Sequence, residues 1–589
     1  MRREYAWRSV AVAAIFAFIG IAIILQMVRI QVSPQTADFR TLVERNKGWM
    51  EVVYPARGEI YDRKGYLLAG NQTVFELGVT LDQIDNAEYI AETLAGILNM
   101  DADILYRKMI DVSDEQVYVM LVDFVPSEAA EKIKKIKADI VEERDGPYIE
   151  GQESLAGLHF REHLSRSYPE KTIAANVIGF VNQSERGYFG IEEKYNDLLA
   201  GNPVEVWIPA DPNRVEEVPH VPDGTTLILT LDRELQAATE NILDSALSTH
   251  GAQSGTIIIM DPRNGEILAM ASAPRLDLTN YADYDNLFDK AIEYNRAINM
   301  PYEPGSVFKI LTMAAALDSG TVAPDTAYTD TGVYEIGGAI IRNWDNQAWG
   351  VQDMTGCLAH SLNVCLARIA VQMGTEDFYD YMVRFGIGHP TGVDLSGEAG
   401  GRLRVPGDSD WYTIDLATNS FGQGVTATPI QMMMAASAIA NEGTMVTPHL
   451  LYGMVRDNKQ YNFPPQDAGR PIRRDTALTL NEMLANALLG ADSLAILPGY
   501  RLAGKTGTAE IPTEYGSYSS AATNTSFIGW GPVDDPQFMV YVWLEKPTSS
   551  IWASQTAAPV FSQVADVTTQ VLNIPPDIIR QQYALGLGQ

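Results

Sequence analysis

The chain of 589 residues is poor in cysteine, in histidine and in basic residues. Two cysteines are too few for a disulfide framework in a chain of this size. Lys and Arg number 43 against 75 Asp and Glu, so the formal charge is -32. No basic cluster offsets that charge, which argues against a nucleic-acid partner and fits an acidic, soluble surface. The apolar share of 46% is that of a globular protein with a large core.

The seven histidines include one pair at metal-ligand spacing, His159 and His163 with Glu162 between them. This H-x-x-E-H pattern is typical of inverted zinc peptidases, which need both histidines on one helix face. The neighbouring glycine and Tyr-Pro favour short extended segments instead, and no third ligand follows at a fixed offset. We therefore predict a packing role, no metal site and no organic cofactor.

Long apolar runs are also scarce, and a single one, at residues 10–25, is long enough to span a membrane. Arg2, Arg3 and Arg8 precede it, which favours a cytoplasmic N-terminus, although basic residues also follow it. A cleaved signal peptide is the alternative. Two features argue against a signal peptide: the apolar core is longer than the usual apolar region of such a peptide, and no small-residue cleavage site follows it.

A serine and a lysine three residues apart, Ser306 and Lys309, open the apolar run 310–317. On a helix such residues share one face, so the Lys309 amine is expected beside the Ser306 hydroxyl. The amine can accept a proton only if its pKa falls well below about 10.4, which burial and a second cation both achieve. A helix N-terminus at Ser306 favours an oxyanion beside it. The pattern predicts acyl transfer by a serine nucleophile.

A second motif, Ser361-Leu362-Asn363, follows in the order that such a site needs. Its hydroxyl can relay a proton to a leaving amine, and its amide can orient a peptide. Cys357 and Cys365 flank it, eight residues apart in a stretch predicted to be helical. We expect two buried thiols there in preference to a bridge, with a redox switch as a minor alternative.

A third motif is Lys505-Thr506-Gly507-Thr508, on a predicted strand at residues 501–509. We expect its cation and two hydroxyls to hold a terminal carboxylate. The glycine is expected to let a peptide backbone approach and add as an edge strand. Each motif alone is ordinary turn or strand chemistry, whereas the ordered set of three predicts an active site.

This ordered set resembles that of penicillin-binding proteins and serine β-lactamases, with Leu362 at the middle position of the second motif. Residues 57–65, 166–169 and 187–192 resemble motifs of the non-catalytic pedestal of class B penicillin-binding proteins. Residues 261–266, 295–297, 421–424 and 526–529 are similar to signature stretches of that family's catalytic half. The resemblance extends from about residue 50 to about residue 565.

The resemblance implies an α/β fold of the α+β type. A transpeptidase domain with a central antiparallel sheet flanked by helices follows an elongated mixed pedestal and one N-terminal transmembrane helix. We expect a cytoplasmic tail at 1–8, the membrane helix at 9–30, a pedestal of the dimerisation type at 31–223, the transpeptidase domain at 224–575 and a C-terminal tail at 576–589. The Pro/Gly-rich sequence at 219–224 marks the main boundary.

Helix and strand patterns give a coarse map of both parts. Strands are predicted at 74–79, 225–230 and 538–544, a hairpin at 256–260 and 266–270, and helices at 128–138, 232–249 and 560–571. In the helix at 128–138, Glu128 with Lys132 and Glu131 with Lys135 are expected to form pairs four residues apart.

By resemblance, the activity is D,D-transpeptidation: Ser306 attacks a D-alanyl-D-alanine stem peptide, D-alanine leaves and an amine of a neighbouring stem takes the acyl group. The resemblance assigns catalysis to Ser306, Lys309, Ser361 and Lys505, substrate binding to Asn363, Thr506, Gly507 and Thr508, and the oxyanion hole to the N–H groups of Ser306 and Thr508. Expected ligands and partners are peptidoglycan stem peptides, β-lactams as covalent inhibitors, a polytopic membrane glycan polymerase, and the division or the elongation complex.

Two other classes of function stay open. The same machinery can hydrolyse, as a D,D-carboxypeptidase or a β-lactamase, although no Glu after Ser361 stands out as a base for water. The chain can also be a non-enzymatic membrane anchor or β-lactam sensor. The presence of all three intact motifs argues against this alternative. Labelling with a fluorescent penicillin separates the enzymes from the anchor.

Overall fold

The computed structural model describes residues 6–32, 48–113, 116–143, 146–209, 219, 221–288, 294–490, 493–512 and 518–584. The strands are β1 (Gly48–Val53), β2 (Ile60–Tyr61), β3 (Leu67–Thr80), β4 (Tyr118–Pro126), β5 (Leu158–Ser167), β6 (Phe180–Val181), β7 (Gly187–Tyr188), β8 (Val204–Pro209), β9 (Thr226–Leu229), β10 (Ser254–Met260), β11 (Ile267–Ala273), β12 (Tyr328–Asp330), β13 (Val333–Ile336), β14 (Ala339–Arg342), β15 (Gly350–Gln352), β16 (Met445–Val446), β17 (Leu451–Arg456), β18 (Lys459–Asn462), β19 (Asp467–Gly469), β20 (Ala503–Pro512), β21 (Tyr518–Gly531) and β22 (Phe538–Glu545).

The α-helices are α1 (Ala6–Val32), α2 (Ala87–Leu98), α3 (Ala102–Ile110), α4 (Ser127–Glu143), α5 (Ala175–Ile178), α6 (Gly190–Lys194), α7 (Asn196–Ala200), α8 (Arg233–His250), α9 (Tyr284–Leu287), α10 (Arg296–Asn299), α11 (Lys309–Asp318), α12 (Met354–Ala359), α13 (Asn363–Met373), α14 (Thr375–Arg384), α15 (Thr413–Asn419), α16 (Pro429–Ala440), α17 (Arg474–Gly490), α18 (Ala557–Val571) and α19 (Asp577–Ala584). Short 3₁₀ helices cover Leu81–Gln83, Leu278–Asp283 and Gly305–Phe308.

One compact unit contains residues 1–56 and 201–224. Its helix α1 is apolar enough over Trp7–Ile30 to cross a membrane, with a mean hydropathy of 2.6. The predicted membrane helix at 9–30 is therefore present as a helix, and most of the predicted tail at 1–8 lies outside the described residues. In the same unit β1 and β8 pair antiparallel, with Gly48 opposite Pro209.

The second compact unit contains residues 57–200 and 225–589. One of its sheets has the strand order β18-β17-β9-β2-β3-β4, and β5 also pairs with β3, from Gly70 to Val79. Strands from the predicted pedestal and from the predicted catalytic part thus share one sheet, joined where Ile60 of β2 lies parallel to Leu227 of β9. Residue 224 is therefore not a simple boundary between two compact units. Residues 57–200 belong to the same unit as the catalytic part because they share this sheet with it. The predicted domain limits stay a prediction.

A buried ion cluster joins three distant segments of this unit. Glu192 is fully buried and its carboxylate lies 2.7 Å from Arg57 and 2.6 Å from Arg166. Buried charges are tolerated only when they are paired and hydrogen-bonded, so each arginine requires the glutamate. The resemblance motifs at 57–65, 166–169 and 187–192 therefore have a structural reason.

Helix α4 confirms the predicted helix at 128–138 and extends beyond it. The pair of Glu128 and Lys132 is present at 2.8 Å, but Glu131 pairs with Lys134 and not with Lys135. Exposed pairs three or four residues apart have similar free energies, so spacing alone does not choose between them.

The H-x-x-E-H stretch lies on strand β5, in the extended form that the neighbouring residues predict. His163 Nε2 lies 2.7 Å from Asp123 Oδ1. Within the described residues, no group of three His, Cys, Asp or Glu side chains is placed to hold a metal ion.

The catalytic part is built on a sheet with the order β11-β10-β22-β21-β20, and all neighbouring strands in it are antiparallel. Alternate residues of β10 enter different cores: Ile258 and Met260 pack on one face, Ile257 and Ile259 on the other. Because helices cover both faces, its strands are continuous apolar runs with no polar alternation. The predicted fold class is confirmed, and β20 lies at the edge of the sheet.

Candidate active site

Ser306 lies in the 3₁₀ turn Gly305–Phe308, which continues directly into α11. A 3₁₀ helix has three residues per turn, so positions 306 and 309 lie on the same side of it. Gly305 adopts a φ of +59°, and a Cβ there would lie 3.0 Å from the Thr508 carbonyl oxygen. Glycine is therefore required for this turn to lie against β20. Ser306 is half-buried and lines a cleft.

The Lys309 amine is fully buried and joins the first motif to the second. Its Nζ donates to the Ser361 carbonyl oxygen at 2.6 Å, to Ser361 Oγ at 3.1 Å and to Asn363 Oδ1 at 2.8 Å. Among the described residues, no hydrogen bond connects Lys309 Nζ to Ser306 Oγ. The helical spacing predicts a contact between Lys309 and Ser306. The amine instead donates its hydrogen bonds to the carbonyl and amide oxygens of the second motif.

Ser361 lies in the short connection between α12 and α13 and adopts a φ of +55°, which is uncommon for a residue with a side chain. Its hydroxyl lies between two amines. Lys309 Nζ is 3.1 Å from Ser361 Oγ, and Lys505 Nζ is 3.0 Å from the same oxygen. This placement brings all three sequence motifs together at one hydroxyl group.

A disulfide joins Cys357 of α12 to Cys365 of α13, so the prediction of two free thiols is wrong. On one continuous helix, residues eight apart are separated by about 12 Å, which is beyond disulfide reach. The helix instead ends at Ala359 and restarts at Asn363, which leaves the two Cα atoms 6.2 Å apart. Both cysteines are buried, as predicted, and the bridge closes the segment that contains Ser361.

Reduction of this disulfide is expected to lower both stability and the rate of acylation. Closing a loop of this length contributes about 2–3 kcal/mol to the free energy of unfolding in the chain-entropy description. The loss should appear as a lower Tm and as slower reaction with penicillin, because Ser361 is held less firmly. A Cys357→Ala/Cys365→Ala variant is the control, in which a reductant should change neither quantity. An unchanged Tm on reduction of the wild type would contradict the bridge.

Lys505 projects from β20 and is 5% exposed. Its Nζ donates to Ser361 Oγ at 3.0 Å and to both oxygens of Thr506 at 3.3 Å. Burial lowers the pKa of Lys505 to about 7. Burial, and secondarily the charge of Lys505, lower the pKa of Lys309 well below its usual value. The site therefore favours a neutral amine at Lys309.

Gly507 has a packing role that the sequence did not predict. A Cβ at this position would lie 2.3 Å from Ser526 Oγ and 2.8 Å from a methyl group of Val307. The absent side chain lets the strand pack on the turn that carries Ser306, and the approach of a peptide backbone stays a prediction. Thr506 and Thr508, in contrast, line the cleft.

The cleft has a volume of about 1420 Å³. Of the predicted site residues, it is lined by Ser306, Ser361, Asn363, Lys505, Thr506 and Thr508. Lys309 does not line the cleft but is hydrogen-bonded to two residues that do, Ser361 and Asn363. Sequence reasoning missed two further lining residues, Trp344 and Trp552, because single tryptophans in distant segments form no local pattern.

Comparison with known proteins agrees with this geometry. Residues 255–566 match the family described as the penicillin binding protein transpeptidase domain, and residues 52–208 match the penicillin-binding protein dimerisation domain. The chain belongs to the class B penicillin-binding proteins.

This class B penicillin-binding protein is 30% identical to stage V sporulation protein D of Bacillus subtilis, over 89% of the chain and 79% of that protein. It is 28% identical to the peptidoglycan D,D-transpeptidase FtsI of Escherichia coli K12, over 92% of the chain and 88% of that protein. A crystal structure of penicillin binding protein 3 from Mycobacterium tuberculosis, complexed with aztreonam, has a TM-score of 0.67 and 25% identity. That comparison covers 89% of this chain and 98% of the solved one.

Proposed function

We propose that this class B penicillin-binding protein cross-links peptidoglycan stem peptides by acyl transfer through Ser306. The observation that carries the proposal is the Ser361 hydroxyl, held between the amines of Lys309 and Lys505 at 3.1 and 3.0 Å in the cleft that Ser306 lines. A serine nucleophile, a neutral base and a proton relay are the groups that acyl transfer from an amide requires.

In the first half-reaction, Ser306 Oγ attacks the carbonyl carbon of the penultimate D-alanine, and its proton passes to the neutral Lys309 amine. The backbone N–H groups of Ser306 and Thr508 stabilise the oxyanion. The C–N bond then breaks, and the proton passes from Lys309 through the Ser361 hydroxyl to the departing amine of D-alanine. The product is an ester between the stem peptide and Ser306.

In the second half-reaction, an amine of a neighbouring stem attacks this ester, and Lys309 receives the proton of that amine. Breaking of the ester bond returns the proton to Ser306 Oγ, so the enzyme is regenerated. Asn363 orients the donor, while Lys505, Thr506 and Thr508 hold its terminal carboxylate. The donor backbone lies along the outer edge of β20, where no strand of the described residues pairs.

The test is to react the purified protein with fluorescent penicillin and with a stem-peptide donor, with and without an acceptor amine. We expect a covalent adduct with penicillin and a cross-linked product that depends on the acceptor. Hydrolysis of the donor with or without the acceptor would instead identify a carboxypeptidase. Rapid turnover of penicillin would identify a β-lactamase. Absence of any adduct would identify a non-enzymatic anchor.

The rate of acylation is expected to decrease above about pH 7. A lysine is charged only below its pKa, and burial places that of Lys505 at about 7, so its attraction for the substrate carboxylate is lost as the pH rises through that value. The measurement is the second-order rate constant for penicillin acylation between pH 5 and pH 10. A Lys505→Arg variant is the comparison, because any activity it retains should lack the alkaline decrease. A wild-type rate that rises steadily to pH 10 would contradict this role for Lys505.

We further propose a single-pass topology with a cytoplasmic N-terminus and an extracytoplasmic catalytic part, since basic residues precede the apolar helix. The proposed division comprises the pedestal at 31–223 and the transpeptidase domain at 224–575. As partners we propose a polytopic glycan polymerase and either the division or the elongation complex. Depletion in cells distinguishes the two complexes, since filaments indicate division and round cells indicate elongation.

A further inference from the structure

The end of β14 and the loop that follows it hold the second motif on both sides of Ser361. The Trp344 indole N–H donates to the His360 carbonyl oxygen at 3.0 Å, immediately before Ser361 in the chain. On the other side, Asn363 Nδ2 donates to the Arg342 carbonyl oxygen at 3.0 Å. The chain on each side of the relay hydroxyl is therefore bonded to one and the same segment.

Between those two contacts lies Asn343, whose side chain caps helix α13. Asn343 is 2% exposed, and its Oδ1 accepts from the Val364 N–H at 3.2 Å. Val364 belongs to the first turn of α13, where backbone N–H groups have no partner within the helix. Leu362, the residue that precedes the helix, has no side-chain acceptor with which to cap it. Asn343 thus supplies from another segment the cap that the local sequence lacks.

Asp330 fixes the orientation of Asn343. Its buried Oδ2 accepts from Asn343 Nδ2 at 2.7 Å and from the Trp349 N–H at 2.9 Å. Asn343 Nδ2 also donates to the Gln347 carbonyl oxygen at 3.1 Å, so its Oδ1 is left facing α13. Among the described residues no cation pairs with Asp330, and a buried carboxylate then depends on its hydrogen-bond donors. Asp330 and Asn343 therefore require each other.

The position of Ser361 depends on this cap. Ser361 adopts a φ of +55°, a conformation that a residue with a side chain keeps only where its surroundings enforce it. We propose that Asn343, oriented by Asp330, is a positioning residue for acyl transfer. By fixing the start of α13, it keeps the Ser361 hydroxyl 3.1 and 3.0 Å from the amines of Lys309 and Lys505. The inference rests on the proposed function, in which that hydroxyl relays a proton to the departing amine.

The test compares two donors with the same acyl part, one ending in D-alanyl-D-alanine and the other in D-alanyl-D-thiolactate. The amine that leaves the amide needs a proton, whereas the thiolate that leaves the thioester does not. Displacement of the Ser361 hydroxyl should therefore slow the amide selectively. In the full-length protein in detergent, we expect Asn343→Ala to lower kcat/KM for the amide about tenfold more than for the thioester. Loss of folded protein alone would lower both values by the same factor.

Two further variants bracket this result. Asp330→Asn keeps the shape of the side chain but weakens its bond to Asn343, because the acceptor is no longer charged, so we expect a smaller selective decrease. Gln347→Ala is the matched control, since Asn343 contacts the backbone carbonyl of Gln347 and not its side chain. It should keep both wild-type values. An equal decrease for both donors, or no decrease, in Asn343→Ala and Asp330→Asn would overturn the positioning role.

A double variant tests whether Asn343 acts through Ser361. Ser361→Ala alone should show the amide-selective decrease, because it removes the relay itself. Adding Asn343→Ala should then lower the amide value no further, since two residues that act through one group are not additive. Decreases that multiply in the double variant would overturn the proposal.

Labelling to completion with fluorescent penicillin gives the fraction of competent enzyme in each preparation and separates the possible failures. If the wild type forms no adduct, the proposed function fails. If Ser361→Ala slows both donors equally, the proton relay is wrong and the positioning role fails with it. If Ser361→Ala is selective for the amide and Asn343→Ala is not, only the positioning role is overturned.

Discussion

Replacing Ser306 with alanine is expected to abolish both the penicillin adduct and peptide cross-linking. Without its Oγ there is no atom to form the ester, and loss of a nucleophile of this kind reduces turnover by more than about a thousandfold. The fold should persist, since removal of a small polar group at a helix start costs only about 1 kcal/mol. Intact-mass spectrometry after incubation with penicillin measures the adduct directly.

Ser554→Ala is the matched control, because Ser554 lines the same cleft but belongs to none of the three motifs. It should form the adduct at a rate close to that of the wild type. An adduct in Ser306→Ala would refute the assignment of the nucleophile, and mapping the modified peptide would show which residue had reacted instead.

The features of the fold that the sequence predicts correctly are those that depend on short-range pattern. Helix α8 is an example: Asp232 caps its first turn by accepting from the N–H groups of Glu234 and Leu235, and Gly251 ends it in the left-handed conformation. Capping residues and apolar periodicity are local, so the prediction of 232–249 differs from the observed helix by one residue at each end. The antiparallel sheet, in contrast, was expected from family resemblance.

The features that the sequence does not predict depend on contacts between distant segments. Predicting the disulfide would require knowing that the chain reverses at Ser361. Ser361 adopts a left-handed conformation there, and the sequence has no glycine at that position to indicate it. The role of Gly507 depended on the packing of β20 against Val307. Helical spacing placed Lys309 on the side of Ser306, but the hydrogen bonds of its amine are decided by oxygens of the second motif.

Lys309→Met is the second substitution for which we expect a very large effect. Methionine has a similar length and no ionisable group, so it leaves the Ser306 hydroxyl without a base. General-base catalysis contributes about a hundred- to ten-thousandfold, and acylation by penicillin should fall by a factor of that order. Stopped-flow measurement of acylation at pH 7.5 gives the rate, and thermal unfolding checks the fold.

We expect the Lys309→Met variant to fold, with a modest decrease in the free energy of unfolding. Replacing the amine leaves the Ser361 carbonyl oxygen and Asn363 Oδ1 without their donor, which costs about 1–3 kcal/mol for each unsatisfied group. The same substitution removes the cost of burying an ionisable amine, which offsets part of that loss. A Tm close to that of the wild type together with lost acylation would show that the defect is chemical.

Lys309→Arg distinguishes a base from a fixed positive charge. A guanidinium stays protonated at any pH that the protein tolerates, so it can supply charge but cannot accept the serine proton. We expect this variant to be as slow as Lys309→Met. Recovery of acylation in Lys309→Arg would mean that the position supplies only charge. Acylation that survives in Lys309→Met would instead assign proton removal to Lys505 acting through Ser361, whose hydroxyl lies 3.0 Å from the Lys505 amine.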